Sequence, residues 1–120
     1  VVAAVDALGF VLGGAIAGRR ACGLVAVRKQ GKLPNAALRE PFEHYAGGTD
    51  ALEVREGLFL ERDRVLIVDE WIETGATVTA TAQLVERCGA VVAGIATLHC
   101  DLPPDHAIFN GRPVIALNHT

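Results

Sequence analysis

Residues Val65 to Thr77 read VLIVDEWIETGAT, and this stretch constrains the chain more than any other. Four consecutive apolar residues, Val65-Leu66-Ile67-Val68, entered from Arg64, predict a strand buried on both faces. Asp69 and Glu70 then stand where that strand ends. Thr74 to Thr77 supply small residues, hydroxyls and unpaired backbone N–H groups at the start of a helical pattern. Such amides, with the helix dipole, favour an anion, above all a phosphate. Two adjacent carboxylates accept hydrogen bonds from vicinal hydroxyls. A sugar phosphate satisfies both halves of the pattern at once. The competing reading of Asp69 and Glu70 is two solvated carboxylates at a strand end.

The rest of the chain fits around that segment. At 120 residues it is expected to be a single domain, 1–120, and 51% hydrophobic content suits a sheet covered on both faces. Val1–Val5 predicts a short buried strand, Asp6–Gly9 a tight turn and Phe10–Ala21 a helix with Phe10, Gly14, Ala17 and Ala21 at helical spacing. The Gly13-Gly14 pair suggests close packing of that helix on the sheet. Leu24–Arg28 predicts the next strand. Lys29 to about Gly48, broken by Pro34 and Pro41, reads as a long loop. Leu52–Val54, Arg64–Asp69 and Ala90–Leu98 predict further strands, and Pro113–Leu117 an edge strand. Between them Ala76–Cys88 predicts a helix that buries Val78, Ala82 and Val85 and stops at Gly89. Strands alternating with helices imply an α/β fold with a mostly parallel sheet, whose ligands bind at the carboxyl ends of strands.

Several functional classes are disfavoured. A net charge of −3 provides no electrostatic footprint for nucleic acid. Val1–Gly18 is nearly all apolar, but Asp6 interrupts it at a cost of roughly 2.5–3.5 kcal/mol at a membrane centre, so no membrane segment is expected. Cys22, Cys88 and Cys100 fit neither zinc nor redox spacing and are expected to be buried small hydrophobes of a cytoplasmic, reducing environment. The four histidines form no metal-ligand spacing. There is no P-loop and no strand-borne G-x-G-x-x-G. A receiver domain would carry its acidic pair near the start of the chain, with a spaced Asp and Lys after it, and this chain does not.

The Val65–Thr77 string resembles the PRPP-binding motif of type I phosphoribosyltransferases (PRPP is 5-phosphoribosyl 1-pyrophosphate). The resemblance extends over the chain to about Leu117 and comes nearest to the adenine phosphoribosyltransferase family. Val27-Arg28-Lys29-Gln30-Gly31-Lys32-Leu33-Pro34 resembles that family's VRKxGKLP stretch, Gly48–Glu53 the segment after its mobile loop, and Asp6–Phe10 its pyrophosphate loop. The resemblance implies that Asp69 and Glu70 hold the ribose hydroxyls and that Glu73, Thr74, Gly75, Ala76 and Thr77 wrap the 5-phosphate. It implies that Asp6, Ala7 and Leu8, with Arg28, Lys29 and Lys32, face pyrophosphate. On residue types alone the cations are equally a solvated basic loop. Mg²⁺ is implied on substrate oxygens, with no ligand supplied directly by the protein, and a homodimer is implied as the assembly. The implied reaction moves ribose 5-phosphate from PRPP to a purine base. Trp71 has two readings, a base-stacking surface or a filler of core or interface.

Three departures from the family pattern stand out. Leu8 replaces an Arg; Ala46-Gly47 replaces a Glu-Tyr pair, with Glu43 and Tyr45 nearby; and no counterpart of the N-terminal hood precedes Val1. They leave a second reading, a PRPP- or nucleotide-sensing regulator with weak or no catalysis.

Overall fold

A computed structural model describes residues 1–33, 37–43 and 47–119. The described elements are β1 (Val2–Val5), α1 (Leu8–Arg20), β2 (Leu24–Lys29), β3 (Ala37–Glu43), β4 (Thr49–Arg55), β5 (Arg64–Ile72), α2 (Ala76–Arg87), β6 (Val91–Cys100), a single 3-10 turn (Ala107–Phe109) and β7 (Val114–His119). The strands form one sheet in the order β3-β4-β2-β1-β5-β6-β7. Strands β2, β1, β5, β6 and β7 run parallel, whereas β4 pairs antiparallel with both β2 and β3.

The central strands are apolar because both faces are covered. Ala3, Val5, Val65 and Ile67 join the larger core with Val78, Ala82 and Val85 of α2. Val2, Ala4 and Val68 face the other way and form a smaller core with Ala17 of α1. The buried α1 face is Gly9, Gly13 and Ala17, so of the expected set Ala17 is buried, Phe10 and Gly14 only partly so, and Ala21 is exposed. A side chain at Gly13 would stand 2.6 Å from the Ala4 Cβ, so this glycine lets the helix touch the sheet, while Gly14 has open space around it. Chain order reverses between β1 and β5: β1 leads through α1 to β2 on one side, and β5 through α2 to β6 on the other. The crevice outside the carboxyl ends of two such strands is the usual ligand position in this architecture.

Two expectations need correction. The long loop after Lys29 contains a full strand, β3, paired with β4 from Ala37↔Arg55 to Glu43↔Thr49. It lies at the sheet edge, where Pro41 forfeits no ladder bond that a central strand would need. Cys100 is buried as expected, but Cys88 is partly buried and Cys22 exposed. No helix among the described residues is long and apolar enough to cross a membrane. Pro34, Tyr45 and Ala46 lie outside the described residues.

Candidate active site

At the switch point a cavity of about 390 Å³ opens between the ends of β1 and β5 and the start of α2. This is within the usual size range of small-molecule sites. Asp6, Lys29, Asp69, Glu70, Trp71 and the whole Glu73–Thr77 loop line it. Phe42 and Glu43 of β3 close another side, a contribution hidden from the sequence because that segment reads as loop.

Strand β5 runs past the acidic pair to Ile72, so Asp69 and Glu70 are held by a ladder instead of ending it. Asp69 sits opposite Thr97 of β6. One of its oxygens accepts from the Glu70 amide at 2.8 Å, the other from the Thr77 hydroxyl at 3.1 Å. Burial pushes its pKa up to about 6, helped by the neighbouring Glu70 charge and opposed by those two hydrogen bonds and by Lys29. The Thr97 hydroxyl donates to the Glu70 carbonyl at 2.8 Å and fixes the backbone between Glu70 and Trp71.

The loop after β5 turns at Gly75, with φ of 84°. That positive φ strains any residue with a side chain, and a Cβ there would also stand 2.1 Å from the Ile108 Cδ1 of the 3-10 turn, which would have to shift. The first turn of a helix leaves amides without intrahelical acceptors. The Ala76 amide already has a partner, the Thr74 hydroxyl at 3.3 Å, whereas the Thr79 N–H to Gly75 carbonyl bond at 2.9 Å is the first regular bond of α2. The cradle is therefore partly self-satisfied, and an anion would draw the Ala76 amide away from a weak bond.

In the basic loop Arg28, Lys29 and Lys32 gather around an acid. Asp6 sits in their midst, 3.7 Å from Arg28 Nε and 3.4 Å from Lys32 Nζ, and accepts from the Lys29 amide at 3.3 Å. Burial raises its pKa, but the Lys29 amide, Lys32 and Arg28 more than offset this, and the net shift is downward. The guanidinium of Arg28 also lies 5.8 Å from the Phe10 ring centroid. Of the three cations only Lys29 lines the cavity. Ala7 and Leu8, at the start of α1, are exposed and do not line it. A cis peptide joins Asp6 and Ala7.

Glu53 of β4, the last residue of the Gly48–Glu53 segment, anchors this loop, a role its sequence position does not disclose. Its buried carboxylate accepts from Gly31 N–H at 2.8 Å and from Arg39 Nε at 2.8 Å. The Arg39 bond, then the Gly31 amide, hold its pKa below the usual carboxylate value. Trp71 fills no core. It is 51% exposed at the cavity rim, and its indole N–H donates to Asp101 at 2.9 Å.

A phosphoribosyl transferase domain profile matches residues 1–107. The chain belongs to this phosphoribosyltransferase family. An adenine phosphoribosyltransferase of Maricaulis maris is 48% identical over 102 residues, covering 85% of this chain and 57% of that protein. The crystal structure of adenine phosphoribosyltransferase from Thermoanaerobacter pseudethanolicus superposes with a TM-score of 0.90 at 39% identity, covering 99% of this chain and 69% of that one. The Trypanosoma brucei enzyme, solved with AMP, pyrophosphate and ribose-5-phosphate, superposes with a TM-score of 0.87 at 25% identity over 98% of this chain and 55% of that one. The chain spans little more than half the length of the Maricaulis relative. Within the family fold, the cavity occupies the switch point that joins the acidic pair, the Thr-Gly loop and the basic loop.

Proposed function

We propose that the protein is a purine phosphoribosyltransferase of the adenine type, moving ribose 5-phosphate from PRPP to a ring nitrogen of the base and releasing pyrophosphate. The observation that carries this reading is one cavity lined both by Asp69 and Glu70 and by the Glu73–Thr77 loop. The two carboxylates accept hydrogen bonds from the ribose hydroxyls, and the loop amides and hydroxyls hold the 5-phosphate. Asp69 is well suited to this. A buried carboxylate with spare lone pairs gains more from a bound hydroxyl than a solvated one does.

Departure of pyrophosphate leaves a sugar with oxocarbenium character, so catalysis rests on positioning and on charge neutralisation of the leaving group. Lys29 faces the cavity for that purpose, while Asp6 holds Arg28 and Lys32 beside it. Among the described residues no group of three or more His, Cys, Asp or Glu is disposed to hold a metal. The hard oxygens of Asp6, Asp69 and Glu70 around one cavity nonetheless suit a hydrated Mg²⁺ that enters on substrate phosphates. When bound it supplies charge neutralisation to the leaving group. Glu43 lines the same cavity and is the carboxylate available to the proton of the base. Trp71, at the rim, is the stacking surface for that base.

A pyrophosphate-release assay with PRPP, Mg²⁺ and a panel of adenine, hypoxanthine, guanine and xanthine tests the reading. Release that depends on a base, greatest with adenine, is expected. PRPP binding without release on any base would favour the sensor reading, to which the uncharged, outward-facing Leu8 already points.

A further inference from the structure

Trp71 does not stand alone at the cavity rim. Directly opposite it on β6, in register, is His99, whose ring meets the indole edge-on with centroids 6.0 Å apart and planes at 79°. Asp101, two residues on, bridges the pair: Oδ2 accepts the indole N–H at 2.9 Å, and Oδ1 lies 2.9 Å from His99 Nε2. The Asp101 backbone is itself pinned, its N–H donating to the Ile72 carbonyl at 2.9 Å. Neither His99 nor Asp101 lines the cavity, so whatever they do there they do through Trp71.

This arrangement fixes an aromatic plane. An exposed Trp has two free side-chain torsions, and its stacking partner must pay to order both. A hydrogen bond at the indole edge and an edge-to-face ring hold both torsions without covering the outer face. The one polar group of the indole is consumed, so the surface left for a ligand is purely a π-face. Such a surface binds any planar base by stacking and does not read its exocyclic groups.

The geometry points to Asp101, backed by His99, as a positioning residue that presets the Trp71 indole as a stacking platform for the base of the nucleotide. This rests on the reading of the cavity as a phosphoribosyl site. It predicts that base affinity depends on Asp101 while sugar-phosphate affinity does not.

Trp71 is the only tryptophan in the chain, so intrinsic fluorescence reports on it alone. The full chain is titrated with AMP and, separately, with ribose 5-phosphate, with excitation at the red edge where neither nucleotide nor tyrosine absorbs. AMP is expected to quench Trp71, and ribose 5-phosphate to bind without quenching, its affinity read by calorimetry. In Asp101→Ala, Trp71 anisotropy falls and AMP binds on the order of ten-fold more weakly, with ribose 5-phosphate affinity unchanged. In Asp101→Asn, whose amide still accepts the indole N–H, most of the AMP affinity returns. AMP binding that leaves wild-type Trp71 fluorescence untouched would overturn the inference whether or not the alanine variant folds. So would an AMP-to-ribose 5-phosphate affinity ratio that Asp101→Ala does not change. Failure of both ligands to bind the wild-type chain would instead remove the phosphoribosyl reading, and this inference with it.

Discussion

Asp69 is the residue at which the demands of fold and site conflict. Its carboxyl lies where burial favours the neutral form, and its pKa is pushed up from 3.8 to about 6. A carboxyl that holds its proton more tightly when folded contributes stability below pH 3.8, and that contribution is lost as pH rises through about 6. At pH 7 the unliganded chain therefore carries a cost of up to about 3 kcal/mol, at 1.36 kcal/mol per pKa unit. Asp69→Asn removes the charge and keeps an acceptor for the Glu70 amide. Urea denaturation should show the variant more stable than wild type at pH 7, with the gap closing by about pH 4. An equal difference at both pH values would mean that the variant acts through packing and not through the buried charge. The type and spacing of Asp69, Glu70 and Thr77 were legible in the sequence. The hydrogen bond from Thr77 to Asp69 was not, because it depends on how α2 leaves the strand.

At the scale of elements, the two parallel crossovers were readable because their strands and helices have unmixed periodicities. Strand β3 was hidden by Pro41 and by its place at the sheet edge, where no apolar run is required. Missing it meant missing Phe42 and Glu43 in the cavity wall and the tie between β4 and the basic loop. That tie is Glu53, which couples Gly31 to Arg39 and so connects the loop carrying Lys29 and Lys32 to the β3–β4 hairpin. Glu53→Ala should loosen the loop and weaken pyrophosphate binding several-fold, leaving ribose 5-phosphate binding within two-fold (roughly one neutral-to-charged hydrogen bond lost). Calorimetric titration with each ligand distinguishes this from a global loss of fold, which would weaken both. The same coupling carries a pH signature. The pKa of Glu53 is depressed, so its contribution is present above its ordinary value of 4.5 and is lost as pH falls through the lower, folded value.

For the molecule as a whole, the order of strands does the assembling. Reversal of chain order between β1 and β5 opens one crevice. Segments far apart in sequence (Asp6 after β1, Lys29 at the end of β2, and the stretch from Asp69 to Thr77) meet there. Family membership and the match to adenine phosphoribosyltransferase structures account for that architecture. The claim that the crevice is a PRPP site rests on the acidic pair facing the same cavity as the Thr-Gly loop. The most direct measurement is calorimetric titration of PRPP with Mg²⁺ into the wild-type chain and into the Asp69→Asn, Glu70→Gln double variant, with circular dichroism to check the fold. Binding by the wild type and a loss of at least a hundred-fold in a folded double variant are predicted, about 2.7 kcal/mol or more for two charge-assisted contacts. Equal affinity in both proteins would contradict the assignment of the acidic pair to the ribose and, with it, the account of the cavity.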